Sequence, residues 1–170
     1  FRGSETDVLN RISSLLRAFE EDVHVECYGD SPLIDPQIID EFIAYFLKYK
    51  TEADFFSSSI TTTYPPGLEV TVYKSRILLE VEKIVSNNDP LREHVGYNIT
   101  RFPDRFKIAS LHAPTHFFSP DTYLEVDTIE DLEVMKMIFE HFLSKGQTHF
   151  GLGEILTLLK SNLDISDRNK

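Results

Sequence analysis

At 170 residues and 41% hydrophobic content, the chain is long enough to bury one sizeable core, and a single domain over residues 1–165 with a polar tail from Ser166 is the default reading. A formal net charge of −11 argues against broad binding to nucleic acid or an anionic membrane, since both need clustered Lys and Arg. Cys27 is the sole cysteine, which excludes an internal disulfide and a thiolate zinc site and fits a reducing compartment. No apolar run approaches the roughly 18 residues needed to span a bilayer, and no charged start followed by an apolar stretch reads as a signal peptide, so a cytoplasmic protein is expected.

The chain opens without an initiator Met, and Phe1-Arg2-Gly3-Ser4 runs into a helix with no strand before it, which leads to the expectation that part of the fold lies upstream. Ser4 followed by Asp7 resembles a capping box with Asp in place of Glu, and Val8, Ile12, Leu15, Leu16 and Phe19 recur at helical spacing. A helix over about Glu5 to Phe19 is predicted. Val23, Val25 and Cys27 alternate, giving a strand near Val23 to Tyr28 with Cys27 as a small buried residue. Pro36 fits a first helical turn, and Ile38, Ile39, Phe42, Ile43, Phe46 and Leu47 make the apolar face of a second helix. Strands are predicted at Ala53 to Ser57 and Leu68 to Tyr73, separated by the turn signal Tyr64-Pro65-Pro66-Gly67.

Ile77, Leu78, Val81 and Ile84 mark a helix that stops near Ser86-Asn87-Asn88, and Asp89-Pro90 opens another running to about Ile99. Arg105 to Leu111 reads as a strand, Ala113 to Asp121 as an irregular loop, and Tyr123 to Val126 as a short strand. A long helix follows Asp127-Thr128, with Leu132, Met135, Ile138, Phe139 and Phe142 as its buried stripe and Gly146 at its end. A short helix, about Gly153 to Leu159, precedes the tail. This order predicts an α/β domain with a mostly parallel central sheet, helices on both faces and one antiparallel element.

Tyr28-Gly29-Asp30-Ser31-Pro32 sits at a strand's carboxyl end, the edge where ligands bind in open α/β sheets, and Glu125-Val126-Asp127-Thr128 offers a second acidic group. If both acids end strands on one edge, the pair suits a magnesium ion whose shell is completed by water and phosphate oxygens. Each also has a plainer reading: Gly29-Asp30 as a turn, and Asp127 as the N-cap of the long helix.

Five segments in order, Phe1 to Arg11, Gly29-Asp30-Ser31-Pro32-Leu33-Ile34-Asp35, Tyr64-Pro65-Pro66-Gly67-Leu68-Glu69-Val70, Arg92-Glu93-His94-Val95 and Val126-Asp127-Thr128-Ile129-Glu130-Asp131-Leu132, resemble the motifs of the spore coat polysaccharide biosynthesis protein F family. That family is similar to the cytidylyltransferases that activate acidic sugars. The resemblance implies a nucleotide-diphospho-sugar transferase-like, Rossmann-like fold, without its first strand and loop in this stretch, and transfer of CMP from CTP to a sugar with release of pyrophosphate. By the same resemblance, Asp30 and Asp127 match magnesium-binding acids. Gly3, Ser4, Arg11 and Gly29 match nucleotide contacts, Tyr64, Gly67 and Glu69 the sugar side, and Arg92 and His94 further catalytic groups. Arg92 reads equally as an ion-pair partner, His94 as a structural histidine and Ser4 as a helix cap. A homodimer is implied by the resemblance alone.

Three departures set this chain apart from the family pattern. The family's phosphate-binding loop is not found within this stretch and is expected upstream of it, Glu69 stands where members more often carry Asp, and Asp121 to Glu125 lacks a basic residue often found there. Two alternatives stay open at this point: a non-catalytic α/β interaction or regulatory module, and another nucleotide-sugar-dependent glycosyltransferase.

Overall fold

The first helix, α1, spans Val8–Phe19 and starts where its apolar spacing does, three residues later than a cap at Ser4 would place it. Asp7 is the N-cap, its carboxylate accepting from the Asn10 amide at 2.9 Å, while the Ser4 hydroxyl accepts from the Asp7 amide at 3.0 Å. Ser4 therefore shapes the approach to the helix, and Asp7 satisfies an amide that the first turn leaves without a carbonyl. The buried face is Leu9, Ser13 and Leu16, rotated from the predicted stripe, with Phe19 exposed.

This computed structural model describes residues 2–162 and 165; Phe1 and the predicted tail from Ser166 lie outside the described residues. The elements that follow α1 are β1 (Val23–Glu26), α2 (Pro36–Tyr49), β2 (Phe55–Ser57), β3 (Thr71–Lys74), α3 (Ser75–Ile84), a 3-10 turn (Pro90–Glu93), α4 (Val95–Thr100), β4 (Ile108–Ser110), α5 (Ile129–Ser144) and α6 (Leu152–Ser161). The strands form a sheet in the order β1-β3-β2-β4. The sheet is mixed and carries the expected antiparallel element. Its β1 and β3 strands run antiparallel, with Val23 opposite Lys74 and Glu26 opposite Thr71.

The described residues fall into two compact units, and the chain passes between them after β1, within α2, within β2, before β3 and within β4. Unit 1 takes the chain up to Glu26, Phe42–Phe56 and Thr71–Ala109. Its core holds Leu9, Leu16, Phe55, Tyr73, Ile77, Leu78, Val81 and Ile99, and the Phe55 and Tyr73 rings stack at 5.8 Å. Burying each such side chain contributes about 1.5–3 kcal/mol, so the short strands are held by what they bury more than by their ladders. Unit 2 takes Cys27–Glu41, Ser57–Val70 and the chain from Ser110 onward. Leu33, Leu68, Leu124, Ile138 and Leu152 are buried there, and the Phe142 and Phe150 rings stack at 4.1 Å.

Several predicted boundaries move, each for a local reason. Cys27 lies beyond the end of β1 and is exposed, not a buried strand residue. The helix predicted from Asp89 to Ile99 breaks at His94, where the Asn98 side-chain amide donates to the carbonyls of Leu91 at 2.6 Å and His94 at 2.8 Å and so satisfies groups the helix would have paired. No strand forms at Tyr123 to Val126. The amides of Leu124 and Val126 are spent separately, on the carbonyls of Pro66 at 2.7 Å and Asp30 at 2.9 Å.

Candidate functional site

Three loops of unit 2 come together at Asp30, Gly67 and residues 123–127. The Asp30 carbonyl accepts from the Val126 amide at 2.9 Å, which joins the backbone that carries Asp30 to the residue before Asp127. Gly67 adopts φ +97°, a left-handed backbone that favours glycine, and a Cβ placed there would meet the Leu124 carbonyl and lie 2.7 Å from the Glu125 nitrogen. The Tyr64 turn can approach the 123–127 segment this closely only because residue 67 has no side chain. Glu69 turns back on its own loop, its carboxylate accepting from the Gly67 amide at 2.6 Å.

Asp127 is not the cap of α5. That role falls to Thr128, whose hydroxyl accepts from the Asp131 amide at 3.2 Å while the Asp131 carboxylate accepts from the Thr128 amide at 2.8 Å. The exposed Asp127 carboxylate is left to accept from the Tyr123 hydroxyl, and the Asp30 carboxylate accepts from the Ser31 hydroxyl at 3.3 Å. Burial pushes the Glu125 carboxyl above the usual range; the Tyr123 hydrogen bond opposes this, and the charges of Glu69, Asp30 and Asp127 add to it. Burial likewise raises Glu69, with hydrogen bonding from the Gly67 amide opposing and the Asp30 charge adding. The hydrogen bond to Asp127, then burial and Glu125, hold the Tyr123 phenol protonated well above its ordinary range. Among the described residues none of Asp30, Glu69, Glu125 and Asp127 takes part in an ion pair.

The other sequence candidates divide between the units. Gly29 is exposed with open space around it and no left-handed φ, so nothing local demands a glycine. Tyr64 and Gly67 are buried and form the body of their turn, which leaves Glu69 as the half-buried member of the proposed sugar side. In unit 1, Gly3, Ser4 and Arg11 do meet: the Arg11 guanidinium donates to the Ser4 carbonyl at 2.8 Å, and a Cβ on Gly3 would lie 2.9 Å from Arg11 Cγ. Arg92 is 2% exposed. Its guanidinium donates to the Asp7 carboxylate at 2.9 Å and the Val85 carbonyl at 3.1 Å, which ties together α1 and the end of α3 in its own unit. His94 has an exposed side chain at the break before α4.

The sequence profile described as cytidylyltransferase matches residues 1–156. This chain belongs to the cytidylyltransferase family. Among curated relatives, it is 28% identical over 164 residues to the spore coat polysaccharide biosynthesis protein SpsF of Bacillus subtilis, covering 96% of this chain and 65% of that protein. It is 30% identical over 169 residues to an uncharacterised protein of Methanocaldococcus jannaschii, covering 99% of this chain and 66% of the relative. The chain thus spans about two thirds of the length of the curated relatives it matches. The structure of a cytidylyltransferase from Leptospira borgpetersenii serovar Hardjo-bovis superimposes with a TM-score of 0.89 at 27% identity, over 100% of this chain and 68% of the other.

The donor set of this cytidylyltransferase-family chain fits a hard divalent cation. Asp30 and Asp127 offer exposed carboxylate oxygens, and neither is consumed by an ion pair. Among the described residues no group of three His, Cys, Asp or Glu gathers into a ready-made cage. Two carboxylates with open positions suit magnesium, which keeps waters and takes substrate phosphates in preference to an all-protein shell. Sequence reasoning missed Tyr123 as the partner of Asp127. The four-residue spacing is visible in the sequence, but the pairing depends on residues 123–126 being irregular, since an extended strand would hold the two residues about 13 Å apart.

Proposed function

We propose that the protein transfers a cytidylyl group from CTP to a sugar and releases pyrophosphate, with magnesium held by Asp30 and Asp127. The observation that carries this reading is the bond from the Val126 amide to the Asp30 carbonyl, which couples the two acid-bearing loops in a chain of the cytidylyltransferase family. Magnesium, when bound, supplies positive charge against the triphosphate as the sugar hydroxyl attacks the α-phosphorus. The chain's own residues position it. Tyr123 donates to Asp127 and fixes one carboxylate, Thr128 relieves that carboxylate of helix capping, and the Gly67 turn packs against the backbone behind it. Such prepositioning of charged groups lowers the reorganisation needed during reaction. Gly3, Ser4 and Arg11 are proposed as nucleotide contacts, and Glu69 as a group on the sugar side. The similarity to SpsF supports a place in polysaccharide biosynthesis.

The test is calorimetric titration of CTP into the full-length protein with and without magnesium, with Asp127→Asn as control. Heat that requires both the metal and Asp127 supports cytidylyl transfer. Absence of binding in the wild-type protein overturns it and favours a non-catalytic interaction module.

A further inference from the structure

Arg92 is a buried cation at the end of an unbroken hydrogen-bond path. Its Nε donates to Asp7 Oδ1 at 2.9 Å, the same oxygen that accepts from the Asn10 amide and caps α1. The Asp7 amide in turn donates to the Ser4 hydroxyl at 3.0 Å, and the Ser4 carbonyl accepts from Arg11 at 2.8 Å, whose Cγ would lie 2.9 Å from a Cβ placed on Gly3. Behind Arg92, Nη1 donates to the Val85 carbonyl at 3.1 Å, and Nη2 lies 3.7 Å from Glu82, an ion pair with no hydrogen bond. Glu82 is itself held by Asn10 at 3.2 Å and Arg17 at 2.6 Å.

Burying a guanidinium is costly, and a buried ion pair contributes less to stability than its Coulomb attraction suggests, so stability alone is a poor account of this arrangement. What the planar fork does supply is fixed geometry: two donors in one plane, one on the capping carboxylate of α1 and one on the end of α3. We propose that Arg92 is a positioning residue that holds the Gly3 to Asp7 segment in the conformation that receives the nucleotide. The inference rests on the nucleotide role proposed above for Gly3, Ser4 and Arg11.

The experiment pairs two readouts on full-length wild type, Arg92→Lys and Asp7→Asn. Lysine keeps the charge and loses the fork, while asparagine at position 7 remains a competent helix cap and loses the charged acceptor, so one variant tests the idea if the other fails to fold. Hydrogen exchange at the Asp7 amide should accelerate by about ten-fold or more in either variant while amides of α3 keep wild-type protection, and the Kd for CTP with magnesium should rise by about five-fold or more. Unchanged exchange at Asp7, or loss of protection spread evenly over unit 1, overturns the positioning role. Faster exchange with an unchanged Kd also overturns it, since the held segment then has no bearing on the nucleotide. Wild-type protein that binds no CTP removes the nucleotide role as well, a failure of the function reading that the wild-type arm identifies by itself.

Discussion

Asp35 is the residue whose removal should be felt most widely in unit 2. It is 6% exposed, and its two carboxylate oxygens serve two helices: Oδ1 accepts from the Gln37 amide in the first turn of α2, and Oδ2 accepts from the Leu152 amide at the start of α6, each at 2.9 Å. Truncation to alanine deletes the first cap, at about 1 kcal/mol. It also strands the amide of Leu152, a fully buried residue, which costs about 1–3 kcal/mol. The sum is about 3 kcal/mol, or a fall in Tm of about 6–12 °C for a chain of this size. Asp35→Asn retains one acceptor oxygen and should lose about half as much. Urea unfolding at neutral pH measures both variants. A loss below about 1 kcal/mol for Asp35→Ala would refute the reasoning, because it would mean that neither helix end depends on this carboxylate.

Gly67→Ala forces an L side chain into a left-handed turn against the Leu124 carbonyl, and should cost about 2 kcal/mol or more in urea unfolding. Thr128→Ala removes the α5 cap and should cost about 1 kcal/mol in urea unfolding; Asp127→Asn, which leaves that cap in place, should keep Tm and lose magnesium-dependent CTP binding in calorimetry. Glu125 titrates above its unfolded value, so its ionisation opposes folding at neutral pH and the penalty disappears as pH falls through the folded and then the unfolded pKa. Glu125→Gln should therefore raise Tm at about pH 7, with the advantage gone by about pH 3.5, below the ordinary carboxylate value of about 4.3; an advantage that persists in acid would contradict this sign.

What the sequence made legible was periodicity. The apolar spacing of α2, α3 and α5 is regular enough that their extents emerge nearly unaided, and Pro36 stands at the first helical position as its fixed φ demands. The residues that depend on one long-range bond were not legible in this way. Tyr123 to Val126 alternates like a strand, yet two loop carbonyls claim its amides one at a time. Asn98 looks like an ordinary helix residue until its side chain is found bonding the carbonyls at the His94 break. For the candidate site, Asp30 and Asp127 were visible as acids at element ends. Capping was read on Asp127, and only hydrogen-bond geometry moves it to Thr128. The burial of Arg92 was not legible for a related reason: a basic residue in a polar motif gives no local sign of burial, and its partner Asp7 lies far away in sequence.

The displacement of Cys27 from the strand to an exposed position gives this chain a built-in reporter. Its single thiol stands in the same loop as Asp30, three residues away, on the solvent side of the point where β1 has ended. A small fluorophore attached there by maleimide chemistry would sense changes in the Asp30 loop by quenching or polarisation, without following turnover. Spectroscopic titration with metal alone, nucleotide alone or the two in either order then becomes accessible through this thiol, allowing the order of their addition to be read directly.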